Sequence, residues 1–592
     1  MANYIFIKTR QVVESTKILQ DLEQVCCLLT PISIRGISQN TVEVWPDDSS
    51  SFYGIQNSEG VAKPEKDRLV IGWIHHSESD NADVFNSEAD GSYAIIKNTE
   101  DKISFFSDQF SSRTLWYYFD DNKLVISTSQ RAVIALKGSF NLNEETLAWY
   151  LSSGTQGPFI SWDQDINQVL PNIEYKLNLN DWHLDLEQKP GMDLPSSGST
   201  KMDDYLDIYK DKVTQSLDQI INEYPKGQVL MPLSGGLDSR LLLSLSRNAD
   251  IDDKLTLVNW GIPKYEDALN DKVAAQRLAK FYNKDLLDMS LPIKIDDYDQ
   301  ILNLFVEASE GRIDHFNAFT DGFKMWNDFF QRGYQAIVRG DIPFVTEIYL
   351  NRLQIKSKMG LSSFINYSNI NNFNVKKYSK LQNEDLTKRL KGESLIRWRD
   401  RTYSSIRVPL LLAAYSHQTS GFVENRTPMM SWSLFKLYMG LPDKEKGDKL
   451  HIKKLWQKYD HSGVSSHVID SLLPMESYFN NREGKKYLFD KLTLLIEGKY
   501  VSSNLVKSVY EVFSKQELLS LEEQPTVVSK KALVSQKIQR LLTNHLPALP
   551  KAYLKSKRVK KLSVTTIAYR IILADKIIAM YELDAKHNKV GG

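Results

Sequence analysis

The chain has almost no cysteine, no excess of either charge and no long apolar run, and each absence removes a class of protein. Only Cys26 and Cys27 occur, side by side. Neither has a distant partner, so no disulfide framework staples the fold, which fits a reducing compartment. The pair reads as small buried apolar residues. Lysine plus arginine equals aspartate plus glutamate, 74 each, so the molecule as a whole carries no basic field toward nucleic acid or an anionic membrane. No window approaches the ~18 consecutive apolar residues of a bilayer span. The start, MANYIFIKTR, lacks the charged region, apolar core and cleavage site of a signal peptide. A cytoplasmic protein is the expectation.

What is present divides by pattern. The 592 residues exceed one ordinary core. Up to about residue 185 the chain shows short runs rich in aromatic and branched residues, such as Arg68 to Ile74, Ser92 to Ile96, Lys102 to Phe106, Leu115 to Phe119 and Lys123 to Ser127. Asp90-Gly91 and Asp120-Asp121-Asn122 supply turns between them, which predicts a mostly antiparallel sheet. Glu187 to Thr200, with two prolines and several glycines and serines, reads as a linker. Beyond it Leu206, Tyr209, Val213, Leu217 and Ile220 mark one face of a helix, and strands Gln228 to Leu233, Leu255 to Trp260 and Gln335 to Gly340 alternate with helical segments. That alternation predicts an α/β fold with a parallel sheet. From about 461 onward the pattern is mostly helical. It includes the basic run Leu554 to Lys561, read as a solvated helix face, and the asparagine-rich patch Asn366 to Asn374 reads as a solvated loop.

One stretch carries chemistry: MPLSGGLDSR, Met231 to Arg240. Its glycines fall where a strand ends and a helix begins, allowing close backbone approach to an anion at the helix N-terminus. Ser234 and Ser239 add hydroxyls, and Asp238 adds a hard oxygen suited to Mg²⁺. No lysine follows the glycines, which excludes the Walker loop, and G-x-G-x-x-G is absent, which disfavours a dinucleotide. The loop alone leaves thiolation, ligation and NAD synthesis open.

This stretch resembles the pyrophosphate loop of the ATP pyrophosphatases and is most similar to that of the asparagine synthetase family. Thr256 to Gly261 (TLVNWG) stands where that family has its adenine-contacting second strand, and Val338-Arg339-Gly340-Asp341 weakly mirrors its second acidic loop. Gly421 to Pro428 (GFVENRTP) resembles its G-V-E-A-R-V-P segment, and Leu441-Pro442 with Lys449 to Lys453 (KLHIK) resembles its L-P and K-Y-x-L-R. The resemblance covers roughly 85 to 185 and 203 to 460.

It implies a degenerate Ntn-type antiparallel β/α sandwich over 1–187 and a PP-loop parallel-sheet synthetase domain over 201–460; the helical pattern over 461–592 forms an extension that it does not cover. It also implies ATP and Mg²⁺ as cofactors. Leu233, Ser234, Gly235, Gly236, Asp238, Ser239, Val258 and Gly340 would hold ATP and pyrophosphate, and Asp238 and Asp341 the metal. Lys449 would stabilise the reacting centre, and Glu424 would act in amine deprotonation or pair with Arg426.

The N-terminal half resembles the family's glutaminase through Asp90 to Ala94, Asp108 to Tyr117, Ser127 to Ser129 and Ile166 to Leu177. That half uses an N-terminal cysteine and an N-G-E segment; here Ala2 follows the initiator, and no such segment is seen near Gly72 to His75. The expectation is therefore amide formation without glutamine hydrolysis, as in β-lactam, carbapenam and lasso-peptide macrolactam synthetases. The last is favoured, with a carboxylate-bearing precursor peptide as substrate and a companion protease or peptide-recognition protein as partner, and with no nucleic acid or membrane. A glutamine-dependent asparagine synthetase and an inactive peptide-binding homologue are the alternatives. His75-His76 reads as a strand-end pair rather than a metal site.

Overall fold

The computed structural model describes residues 3–587 apart from 59–63, 66, 76–88, 190–192, 263–269, 346, 384, 465–471 and 523–559. Ala2, His76 and most of the basic run at 554–561 lie outside the described residues.

The N-terminal part is built of two antiparallel sheets. Tyr4–Thr9 runs centrally in the first, between Asp48–Ile55 and Lys123–Ser127. Arg68–Ile74, Gly91–Asn98, Lys102–Ser107, Ile173–Asn178 and His183–Gln188 form the second. Alternation along Tyr4–Thr9 explains the layering. Tyr4 and Phe6 join Ile71, Ile96, Phe105 and Leu177 of the second sheet in a core between the sheets. Ile5 and Ile7 face the opposite way, into a larger core with Leu22 and Val25 of helix Ser15–Leu29 and Ile134 of helix Gln130–Lys137. Cys26 is buried, but Cys27 is exposed. Successive residues on a helix point about 100° apart, so one face could not bury both.

The second part holds five parallel strands in the order Leu286–Ser290, Leu255–Gly261, Val229–Pro232, Ala336–Val338, Glu424–Arg426. Both faces are covered: Val229, Met231, Ala336 and Val338 pack into one core, while Leu230, Val258 and Ile337 pack into the other. The first and last strands in this order show no alternation in sequence; Glu424–Arg426 is buried yet polar. Chain order runs outward from Val229–Pro232 to one edge, then resumes on its other side with Ala336–Val338. The carboxyl ends of these two strands therefore flank the switch point, where α/β sheets bind ligands.

The described residues beyond 460 are not a peripheral layer. Their last helix, Val564–Asp584, is apolar on nearly every side, and thirteen of its 21 residues are buried, as such a helix requires. It lies in the same core as the N-terminal sheet and helix Gln130–Lys137. Arg131 reaches Asp584 at 2.8 Å, so a buried ion pair locks this helix to the N-terminal part. The patch 366–374 is likewise not a free loop: Tyr367 donates to the Ser152 carbonyl at 2.7 Å and Asn369 to that of Leu562 at 2.8 Å. Lys560 is exposed, yet its Nζ is held by the Ser357 and Ser362 hydroxyls, to which it donates.

Candidate active site

The strand Val229–Pro232 ends in the glycine loop, and helix Leu237–Asn248 begins directly after it, with Gly236 at the cap and no side-chain cap bond. The loop holds its own shape. Ser234 Oγ lies 3.1 Å from Ser239 Oγ, Gly236 N donates to Ser234 Oγ at 3.1 Å, and Gly235 N donates to Asp271 Oδ1 at 3.0 Å. Beneath it, Asn259 Nδ2 donates to the Leu233 carbonyl at 2.6 Å, tying the loop to the neighbouring strand. The first-turn amides are thus left for a ligand.

A cavity of ≈ 520 Å³ opens at this point. Leu233, Ser234, Gly236, Asp238, Ser239 and Val258 line it, as do Arg339, Gly340 and Asp341 after strand Ala336–Val338. Gly235 sits within the loop. Gly340 is needed for close approach: a Cβ there would stand 3.0 Å from Asp238 Cβ. The two acidic loops therefore pack against each other, and their carboxylates share one cavity.

Lys449 donates from Nζ to Asp238 Oδ2. The other oxygen, Asp238 Oδ1, is buried with no hydrogen-bond partner among the described residues. Asp341 is paired with Arg339, whose Nε lies 3.2 Å away. Among the described residues no three acidic, histidine or cysteine side chains stand together as a metal cage. Two carboxylates, one with an orphaned oxygen, at a helix N-terminus fit Mg²⁺, which takes one or two protein carboxylates and fills its shell with water and substrate phosphates.

Glu424 is placed apart from this cavity and from the loop around it. It forms a buried ion pair with Arg113 of the N-terminal part. Its sequence neighbour Arg426 pairs instead with Glu223 at 2.6 Å and with the Tyr224 hydroxyl at 2.9 Å, so the expected Glu424–Arg426 pair does not form. Arg113 is delivered by a turn organised around Asp108, a fully buried carboxylate accepting the backbone N–H of Phe110, Ser112 and Arg113.

A scan against models of known protein families finds no match, and a search of curated proteins finds no significant relative.

Among the lining residues, Asn259 and Arg339 stand inside segments the sequence marked, TLVNWG and Val338 to Asp341, without a role assigned to either. His315 and Tyr415 follow no local pattern. Tyr415 sits on the short helix Ala413–Thr419, which continues a π-type segment, Tyr403–Leu412, containing Pro409. The wider turn accommodates a proline without an N–H and sets the direction of the helix carrying Tyr415 and Thr419 into the cavity. His75 caps its strand beside Gln219, with Nδ1 2.8 Å from Oε1.

Proposed function

We propose that this protein is an ATP-dependent ligase of the asparagine synthetase type, which activates a carboxylate by adenylation and joins it to an amine without hydrolysing glutamine. The observation that carries the reading is the meeting of two acidic glycine loops at the switch point of the parallel sheet, with Asp238 Oδ1 left without a hydrogen-bond partner among the described residues. The two-part architecture is in keeping with an Ntn-type sandwich beside a PP-loop synthetase domain.

In this reading the helix amides, Ser234 and Ser239 receive the departing pyrophosphate. Val258 and its strand flank the adenine. Bound at Asp238 and Asp341, Mg²⁺ would neutralise charge on the phosphates. Lys449 leaves Asp238 for the charge that develops at the reacting centre. Burial pushes up the Cys26 thiol, and burial and Glu23 raise that of Cys27, so neither stands in an activating context for glutamine hydrolysis. Beyond these residues the cavity wall includes four aromatic rings, Trp260, Phe319, Trp326 and Tyr415. Such a wall suits a carboxylate on a bulky body, such as a peptide undergoing macrolactam closure, better than a free amino acid with two further charges to satisfy.

The deciding experiment follows ATP with Mg²⁺ and candidate carboxylates. AMP and pyrophosphate, formed only with the right carboxylate, are expected; ADP as the product would remove adenylation.

A further inference from the structure

The cavity contains a side-chain pair that the glycine loop does not explain. His315 lines the cavity with 43% of its side chain exposed, while Asp314 behind it is 1% exposed. His315 Nδ1 lies 3.0 Å from Asp314 Oδ1, an ion-pair approach, and neither atom makes a hydrogen bond among the described residues. The second oxygen, Oδ2, is held by the terminal helix: the Tyr569 hydroxyl and Arg570 Nε each donate to it at 2.7 Å. Arg570 is itself anchored through Nη1 to the carbonyls of Leu151 at 3.2 Å and Ser152 at 2.7 Å. Asp314 is thus fixed from two elements, with one oxygen left for the imidazole. A carboxylate this close to Nδ1 favours the proton on that nitrogen and leaves Nε2 as the one that faces the cavity. Because Nδ1 is buried, the exposed side of the ring carries Nε2.

We infer that His315 is the general base of the amide-forming half-reaction, taking a proton from the attacking amine, and that Asp314 positions it. The inference rests on the ligase reading above. In this step the amine lone pair forms a C–N bond at the activated carbonyl carbon. The C–O bond to the adenylyl phosphate breaks, and AMP leaves with that electron pair. The proton lost by nitrogen passes to His315 Nε2 and then to water.

The other groups at hand fit the task less well. Tyr415 packs edge-on against His315 with ring centroids 5.9 Å apart, but burial pushes its hydroxyl up to about 12, so it keeps its proton at neutral pH. Asp341 is paired with Arg339, and Glu424 with Arg113 outside the cavity. Asp314 is an anion throughout: burial would raise its carboxyl, but Arg570, His315 and Tyr569 outweigh that and hold it well below the usual carboxylate range. The terminal helix thereby becomes part of the chemistry, because without Arg570 a buried carboxylate would have no counter-charge.

The test uses the full chain, with a pool of the twenty amino acids and of peptides bearing Asp or Glu as the carboxylate probe. Two rates are read: exchange of labelled pyrophosphate into ATP, and amide formation by mass, with ammonia or the substrate's own amine as acceptor. His315→Gln is expected to lower the ratio of amide formation to exchange by about 10²- to 10⁴-fold. Added imidazole should restore part of the rate to His315→Gly and none to the unsubstituted protein. Asp314→Asn should lower kcat with little change in the amine KM. An unchanged ratio in His315→Gln, or no rescue by imidazole, overturns the inference while the ligase reading stands. Absence of exchange in the unsubstituted protein removes the ligase reading itself, so the two failures are told apart.

Discussion

Lys449 Nζ donates to Asp238 Oδ2, an ion pair that joins positions 211 residues apart in the chain. It does so from a strained backbone. Gly447, Asp448 and Lys449 have φ of 134°, 50° and 54°, and the helix Leu450–Tyr459 starts immediately after. Left-handed conformation at a lysine costs roughly 1–2 kcal/mol, and strain of this kind gathers at functional sites. What holds the cation over the loop is therefore a turn, not the lysine's own preference.

That strain separates stability from activity at this position. Both partners are about a third exposed, so the pair adds only ~0–1 kcal/mol to folding. Lys449→Gly removes the pair but also relieves the left-handed strain. Its melting transition is expected to match or exceed that of the unsubstituted protein, while pyrophosphate release falls by about 10²- to 10³-fold. A large drop in melting temperature would show that the pair is chiefly structural.

Gly340→Ala tests the contact between the acidic loops. Gly340 is not in the left-handed region, so its backbone tolerates alanine, but the new Cβ would stand 3.0 Å from Asp238 Cβ. Asp238 must then shift, and with it the carboxylate proposed to hold Mg²⁺. Binding of a non-hydrolysable MgATP analogue, measured by calorimetry, is expected to weaken about tenfold or more, a loss of roughly 1.4 kcal/mol. Near-UV circular dichroism should stay unchanged. Undiminished binding would mean that Asp238 is not a ligand.

Glu424→Gln distinguishes two roles that sequence left open. With Arg113 it forms a pair whose side chains are only 13% and 11% exposed. Neutralising one partner leaves a buried guanidinium uncompensated, a loss of about 3–5 kcal/mol. The expected result is a lowered melting temperature with carboxylate-dependent exchange retained at temperatures where the protein is folded. Full stability with lost amide formation would instead place Glu424 in the chemistry.

How far the sequence carried this picture depends on range. The glycine loop was legible because strand end, anion-binding turn and helix start are all local, and Ser234 to Ser239 encode them within six residues. The parallel sheet was legible where apolar runs were long, as at Val229–Pro232 and Leu255–Gly261. Its edge Glu424–Arg426 was not, since its residues are polar and buried only through partners such as Arg113, Glu223 and Tyr224. The terminal helix was seen as helical but not as central, because its partners Arg131, Asp314 and Ser152 lie hundreds of residues away. The Asp314–His315 pair needed the same fold-back to become visible.

The residue after Leu450 gives the sharpest dependence on pH. His451 is fully enclosed by Tyr205, Tyr209, Phe344 and Tyr438, with ring centroids 5.7, 6.0, 5.3 and 5.6 Å away. Neither ring nitrogen has a hydrogen-bond partner among the described residues. Burial, aided by Lys449, pulls its pKa from 6.5 down to about 3. The folded protein therefore keeps His451 neutral while the unfolded chain takes up a proton below about pH 6.5. Stability contributed at this site is fully present above that value and is lost as pH falls toward 3. Between pH 7.5 and 5 the loss is about 2 kcal/mol, at roughly 1.4 kcal/mol for each pH unit below the unfolded value. His451→Phe keeps an aromatic ring, removes both unpaired nitrogens and cannot titrate. Urea unfolding across this range should show the substituted protein losing about 2 kcal/mol less than the unsubstituted one, with a gain already visible at pH 7.5. Parallel curves would mean that His451 is protonated within the aromatic cage.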